Sequence, residues 1–280
     1  MKIHSNENII KAKNGDSKAL EQIIYDIRDT IFNLSLRMLW SIEDAEDATQ
    51  EIIIKVITNL SAFRGDSKFS TWVYKIATNY LLTTKKHIAE KKEITFANFS
   101  SDLNASTPDR EPVIQNDNIS LMEKELRIGC TNAILFCLNK KSRLAFILST
   151  IFDLKDIVAA EILDITHDNY RQIVSRTNRK ISSFMKADCG LVNENAKCKC
   201  RKRIKIAIDR KRLNPENLIY SQQLVEKKIH LKSIDEMNEL DSIASIYKSN
   251  PYYHASDRII SGIKEILRST KYSIIQNGHL

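Results

Sequence analysis

Glycine and proline number only six and four in this 280-residue chain, where average usage would supply about 20 and about 14. A chain so poor in turn formers has few places to reverse a β-strand, while its plentiful Leu, Ala, Lys and Glu extend helices readily. The expected fold class is therefore all-α. With 42% hydrophobic residues there is apolar material for two or three small domains. No apolar run approaches the ~20 residues of a membrane span, and the first residues, MKIHSNENII, lack the apolar centre of a signal peptide. A cytoplasmic protein without membrane insertion is the expectation. Five cysteines, an odd number, do not suggest a disulfide framework.

The formal charge of +8 is unevenly spread. Acidic residues crowd between Glu43 and Glu51, and basic ones between Lys197 and Arg212. Such a distribution points to an anionic partner, although charge alone does not separate a nucleic-acid binder from an ordinary basic protein. Apolar periodicity marks a helical block over 17–92, a polar stretch over 93–119 that reads as a flexible linker, and a second helical block over 120–186. A basic, cysteine-bearing strip over 187–212 and a helical extension over 213–280 follow. There is no internal repeat.

In the first block Ala45, Ala48, Ile52, Val56 and Leu60 recur at three- and four-residue steps and make one buried helix face. Asp44, Asp47, Glu51 and Lys55 share the opposite face, either as a solvated surface near a helix N-terminus or as a docking surface for a basic partner. A short polar loop, Phe63-Arg64-Gly65-Asp66-Ser67-Lys68, then leads into a helix that Ser70 or Thr71 is positioned to cap. Phe69, Trp72, Val73, Ile76, Ala77 and Tyr80 have helical spacing there. Such a stripe suits a core, but aromatic faces beside the cations of Arg64 and Lys68 also suit the capture of an unstacked base.

The run DAEDATQEIIIKVITNLSAFRGDSKFSTWVYKIATNYLL resembles region two of the extracytoplasmic-function (ECF) group of sigma factors, the subunits that direct bacterial RNA polymerase to promoters. The likeness covers about Ser17 to Lys86. It implies a helical bundle in which Asp47, Gln50 and Glu51 dock on core polymerase. It further implies that Arg64, Asp66, Lys68, Phe69 and Trp72 belong to a promoter-melting loop, and that Lys75, Thr78 and Asn79 face the minus-ten element, with Lys85 and Lys86 as a basic tail.

In the second block Ile157, Val158, Ala160, Ile162 and Leu163 suit a short packed helix, Asp164-Ile165-Thr166 a tight turn, and His167 to Met185 a second helix. This is helix-turn-helix spacing, and Asp tolerates the left-handed backbone such a turn needs. Ile173, Val174 and Ile181 form the expected buried side of the second helix, and Arg171, Arg176, Arg179 and Lys180 decorate it. Those cations fit a solvated basic face or contacts along a DNA major groove. The stretch CLNKKSRLAFILSTIFDLKDIVAAEILDITHDNYRQIVSRTNRKI resembles sigma region four, with Asn139, Asp153 and Asp164 where relatives commonly have Pro, Gly and Gly. That likeness implies minus-thirty-five contacts by Asn169, Arg171, Gln172, Ser175, Arg176 and Arg179.

Cys189, Cys198 and Cys200 cluster in sequence. Three thiolates could hold zinc, but a tetrahedral site takes a fourth ligand; redox pairing and simple packing are the alternatives. Apart from that zinc candidate no cofactor is expected. There is no His-Glu-x-x-His pair, no phosphate-cradling Gly-Lys-Ser/Thr loop, and no nucleophile with its base, so the chain is not expected to be an enzyme. The partners implied are core RNA polymerase, promoter DNA and an anti-sigma factor. The competing readings are a freestanding helix-turn-helix regulator and a thiol or metal sensor.

Overall fold

A computed structural model describes residues 6–84, 94–108, 118–221 and 239–268. All regular elements among them are helical: α1 (Asn6–Lys13), α2 (Ser17–Leu39), α3 (Ile42–Thr58), α4 (Phe69–Thr83), α5 (Phe96–Ser106), α6 (Ile119–Phe136), α7 (Lys140–Phe146), α8 (Asp156–Ile162), α9 (His167–Asp188), α10 (Cys200–Asp209), α11 (Glu239–Lys248) and α12 (Asp257–Arg268). The all-α expectation is met. None of these helices is long and apolar enough to cross a membrane. The chain divides into two compact units, one of residues 1–89, 155–170 and 252–280, the other of 90–154 and 171–251.

The first unit is built on α2, α3 and α4. Asp16 caps α2 by accepting from the backbone N–H groups of Lys18 and Ala19, and Trp40 closes it in the left-handed region at φ 54°, its N–H donating to Leu36 O. One residue later Ser41 caps α3 through the N–H of Asp44, and Glu43 and Asp44 sit in the first turn, where the helix dipole favours acids. This tight reversal lays α3 back against α2. Ala45, Ala48, Ile52, Val56 and Leu60 are all buried, as their spacing predicts. α4 packs on both helices, α8 packs on α4, and α12 packs on α3. Ser70 and Thr71 do not cap α4. Its N-cap is Lys68, without a side-chain hydrogen bond, because the helix begins at Phe69, ahead of both residues, with Phe69 and Thr71 turned into the core.

The second unit has a core of Met122 from α6 with Ile204 and Ala207 from α10, closed by Leu213 and Leu218. Glu125, buried on α6, accepts from the N–H groups of Tyr220 at 2.8 Å and Ser221 at 2.6 Å, which fixes the chain after α10. Tyr247 of α11 is fully buried and meets Phe146 edge-on at 4.9 Å.

Two expectations about domain limits change. The polar stretch 93–119 is not wholly a linker: Thr95 caps α5 through the N–H of Asn98, and Phe96 and Phe99 lie 5.4 Å from Phe184. The extension 213–280 is not one body either, since its described parts divide between the two units at Pro251 and Tyr252. The basic strip also has an internal role. Buried Arg203 donates to Asp102 at 3.1 Å, and Arg210 and Arg212 converge on the same carboxylate.

Burial alone would raise the Asp102 carboxyl, but hydrogen bonds from Arg210 and Arg212, with the charge of Arg203, hold it below the usual range. A depressed carboxyl contributes stability that is present above its unfolded-state pKa and lost as pH falls through its folded-state value. Asp102→Ala is therefore expected to destabilise the protein by about 1 to 3 kcal/mol near neutral pH, since it leaves a buried guanidinium under-paired. Urea unfolding across pH should show the deficit shrinking in acid, where the wild-type carboxyl is protonated too.

Candidate functional site

On α3 the acidic face stands where its spacing puts it. Asp47 and Glu51 are exposed and Gln50 half-buried. Tyr80 of α4 looks toward this face: burial, then the charge of Glu51 and more weakly that of Asp47, raise its phenol, with Thr84 opposing through a hydrogen bond. Lys55 Nζ lies 6.0 Å from the centre of the same ring. On another side of α3, Gln50 meets α12, where a Cβ placed on Gly262 would lie 3.1 Å from Gln50 Nε2.

After α3 a short 3₁₀ turn, Leu60–Ala62, leads into the polar loop. Gly65 has φ 85° with open space around it, a conformation that side chains resist, so the loop can turn sharply and leave Arg64, Asp66 and Lys68 exposed. Flanking the loop in sequence, Phe63, Phe69 and Trp72 form a mutual cluster with centroid separations of 5.3, 5.4 and 5.6 Å. Phe63 and Phe69 are buried and Trp72 half-buried, so an exposed loop with two cations and a carboxylate is flanked in sequence by an aromatic cluster. Phe69 is thus core rather than contact surface.

Along α4, Asn79 is exposed and Lys75 half-exposed, with Lys75 Nζ 3.9 Å from the Asp164 carboxylate. Thr78 is fully buried, and its hydroxyl donates to Lys75 O at 3.2 Å. It leaves the set of side chains available to a base. Lys85 and Lys86 lie outside the described residues.

In the stretch expected to be a helix-turn-helix, α8 falls in the first unit and most of α9 in the second, and the turn that joins them is held by local hydrogen bonds. Asp164 adopts the left-handed conformation at φ 53°, and the N–H groups of Asp164 and Ile165 close α8 on Glu161 O and Ala160 O. Thr166 opens α9 by accepting from the N–H of Asn169 at 3.3 Å. Asp153 is likewise left-handed at φ 54°, and Asn139 caps α7 through Ser142 N–H at 2.8 Å, so the three atypical residues fit their backbones. The inner side of α9 is Tyr170, Thr177, Ile181, Phe184 and Met185, all buried, whereas Ile173 and Val174 are only half-buried and Ile157 of α8 is exposed. Asn169, Arg171, Gln172, Ser175, Arg176 and Arg179 are all exposed. Asn169, Gln172, Arg176 and Arg179 recur at three- and four-residue steps along one stripe, and Arg171 and Ser175 lie one turn apart beside it.

Cys189 and Cys198 meet through a short parallel backbone bridge, with Gly190 N–H donating to Cys198 O at 2.9 Å. A Cβ on Gly190 would come within 2.5 Å of that oxygen, so only glycine fits there. A half-buried thiol the sequence did not flag, Cys130 of α6, is raised by burial and by the neighbouring Cys200, Cys198 and Cys189. Burial likewise pushes Cys198 up to about 11 and Cys200 up to about 12. Among the described residues, no three His, Cys, Asp or Glu are arranged to hold a metal ion. Cys189, Cys198 and Cys200, the candidate zinc set, are thus not arranged as a metal-holding group among the described residues, and burial raises each of their thiols.

The Sigma-70 region 2 family matches residues 24–88. The chain is 39% identical over 79 residues to the ECF RNA polymerase sigma factor SigW of Bacillus subtilis, covering 28% of this chain and 42% of that protein. It is 35% identical over 81 residues to the RNA polymerase sigma-H factor of Pseudomonas aeruginosa, covering 29% and 40%, and 38% identical over 69 residues to the ECF RNA polymerase sigma-E factor of Escherichia coli K12, covering 25% and 36%. The matched stretch thus spans about two fifths of the length of these curated relatives, and it contains the acidic face of α3, the polar loop and α4. Through these residues the chain carries a segment similar to sigma-70 region 2 and to the corresponding part of extracytoplasmic-function sigma factors.

Proposed function

We propose that the chain is a sigma factor that binds core RNA polymerase, recognises promoter DNA and helps to open it, with catalysis left to the polymerase in the cytoplasm. The observation that carries this reading is the pairing, within the matched stretch, of an exposed acidic helix face with an exposed cationic loop flanked by an aromatic cluster. Asp47 and Glu51 would meet a basic surface of core polymerase, where charge complementarity sets rate and register. Arg64 and Lys68 would hold the backbone of a separated strand while Trp72 offers a stacking face. Lys75 and Asn79 would face the upstream part of the minus-ten element. The exposed stripe of α9 would enter the major groove at the minus-thirty-five element, with guanidiniums spanning phosphates and guanine edges.

Duplex DNA binding with and without core polymerase tests this reading. The expected result is promoter-specific retention only when both proteins are present. Specific binding by the chain alone would favour a freestanding regulator. Within the complex, Arg171→Ala and Arg176→Ala should each weaken activity through the upstream element. A base contact costs about 1 to 3 kcal/mol and relaxes preference at one base pair, whereas a phosphate contact weakens all sequences alike. Transcription from promoter variants separates the two. Unchanged activity and preference in both variants would remove α9 from the DNA.

A further inference from the structure

The described residues after Pro251 belong to the first unit, and their helix α12 lies on the helix read above as the docking surface. Residues Tyr252 to Ala255 form a strap across α2. Asn33, fully buried, donates to Tyr253 O at 2.7 Å and accepts from Tyr253 N–H at 2.9 Å. Asp29 accepts from Ala255 N–H at 3.0 Å and lies 2.6 Å from His254 Nδ1, and the Tyr252 hydroxyl meets Thr30 Oγ1 at 3.0 Å. Beyond the strap, α12 packs against α3. Ile259 and Ile263, one helical turn apart, are buried, and Gly262 between them lies against the Gln50 side chain, where an added Cβ would stand 3.1 Å from Gln50 Nε2. Asp47 and Glu51 stay exposed beside it.

We propose that α12 is a built-in cover of the α3 docking surface, a segment of the chain itself that competes with core polymerase for the face around Gln50. The proposal rests on the reading of α3 as the docking helix. The two parts of the segment divide the work. The strap is fixed by paired hydrogen bonds to buried groups, whereas the cover is a short helix with a small apolar face over a polar side chain. A short tether keeps such a helix at an effective concentration on the order of millimolar beside its site, so a modest interface suffices to hold it closed. A closed form that outnumbers the open one by about ten to one lowers the apparent affinity for core by about tenfold.

Two variants test this against cognate core polymerase. A chain ending at Ser256 keeps the strap and removes α12, and it is expected to bind core about tenfold more tightly than the full chain. In the full chain, Gln50→Cys with Gly262→Cys places two thiols at the contact. Oxidised, this variant should lose core binding, and reductant should restore it, with wild type and each single variant under the same oxidant as controls for the native cysteines. Equal affinity of the full and shortened chains, or core binding undiminished in the cross-linked form, overturns the cover while leaving the docking role of α3 intact. Absence of core binding in every form, the shortened chain included, overturns the docking reading and the cover with it.

Discussion

Replacing Asp47 and Glu51 together with alanine is expected to lower affinity for core polymerase by about two orders of magnitude, about 3 kcal/mol, with little change in stability. Both side chains are exposed and project from the face of α3 opposite Ala45, Ala48, Ile52 and Val56, so their removal opens no cavity, and surface changes of this kind stay within about 0.5 kcal/mol. Gln50 is left in place because it also meets α12, and its loss would mix docking with uncovering. An internal reporter exists as well. Glu51 and Asp47 contribute to the raised phenol of Tyr80, so the double variant should show that phenol titrating closer to its ordinary range. A core titration unchanged in the double variant, alongside a shifted Tyr80, would mean that the face is intact, altered as intended and unused for docking.

Lys68→Ala in the loop should impair strand opening more than closed-complex formation. Holding an unstacked base offsets an unpairing cost of a few kcal/mol, and that interaction exists only once strands separate; each stacked base contributes about 1 to 3 kcal/mol. Losing this exposed loop cation is thus expected to reduce open complex about tenfold at unchanged occupancy. Asp66→Ala tests the anionic side of the same loop. Permanganate reactivity of the melted thymines, measured beside footprinting of the bound polymerase, separates the two steps. Reactivity and occupancy falling in parallel would assign the loop to folding or docking instead.

What the sequence reveals about this fold follows the range of the interactions involved. The buried face of α3 is legible because five apolar residues at helical spacing need only a local rule. The turn at Asp164 is legible because a short polar residue tolerates the left-handed backbone that ends α8. α5 carries a local signal too, Phe96, Phe99 and Leu103 at helical steps behind a Thr95 cap, but those three stand in a Ser- and Asn-rich stretch whose composition reads as linker. Non-local pairings leave no such trace. Nothing in the strip Lys197 to Arg212 announces that three of its arginines converge on Asp102 about a hundred residues earlier, so an apparent nucleic-acid patch is partly internal.

The site divides the same way. The exposed stripe of α9 and the acidic face of α3 emerge where helical spacing puts them. Thr78 does not, because a threonine in a helix can turn its hydroxyl back to the carbonyl three residues earlier and disappear from the surface. The covering of Gln50 by Gly262 joins positions more than two hundred residues apart, and amphipathic spacing in α12 shows that the helix needs a partner without showing which.

In vitro transcription with core RNA polymerase on a library of fragments from the source genome, with 5′-end mapping of the products, bears most directly on the assignment of this chain as a sigma factor. It should be run with the full chain and with the chain ending at Ser256. Discrete start sites absent with core alone, shared by both forms, and preceded by a common pair of upstream elements are the expected result. If neither form adds a start site to those of core polymerase alone, the chain does not direct initiation and the assignment is wrong.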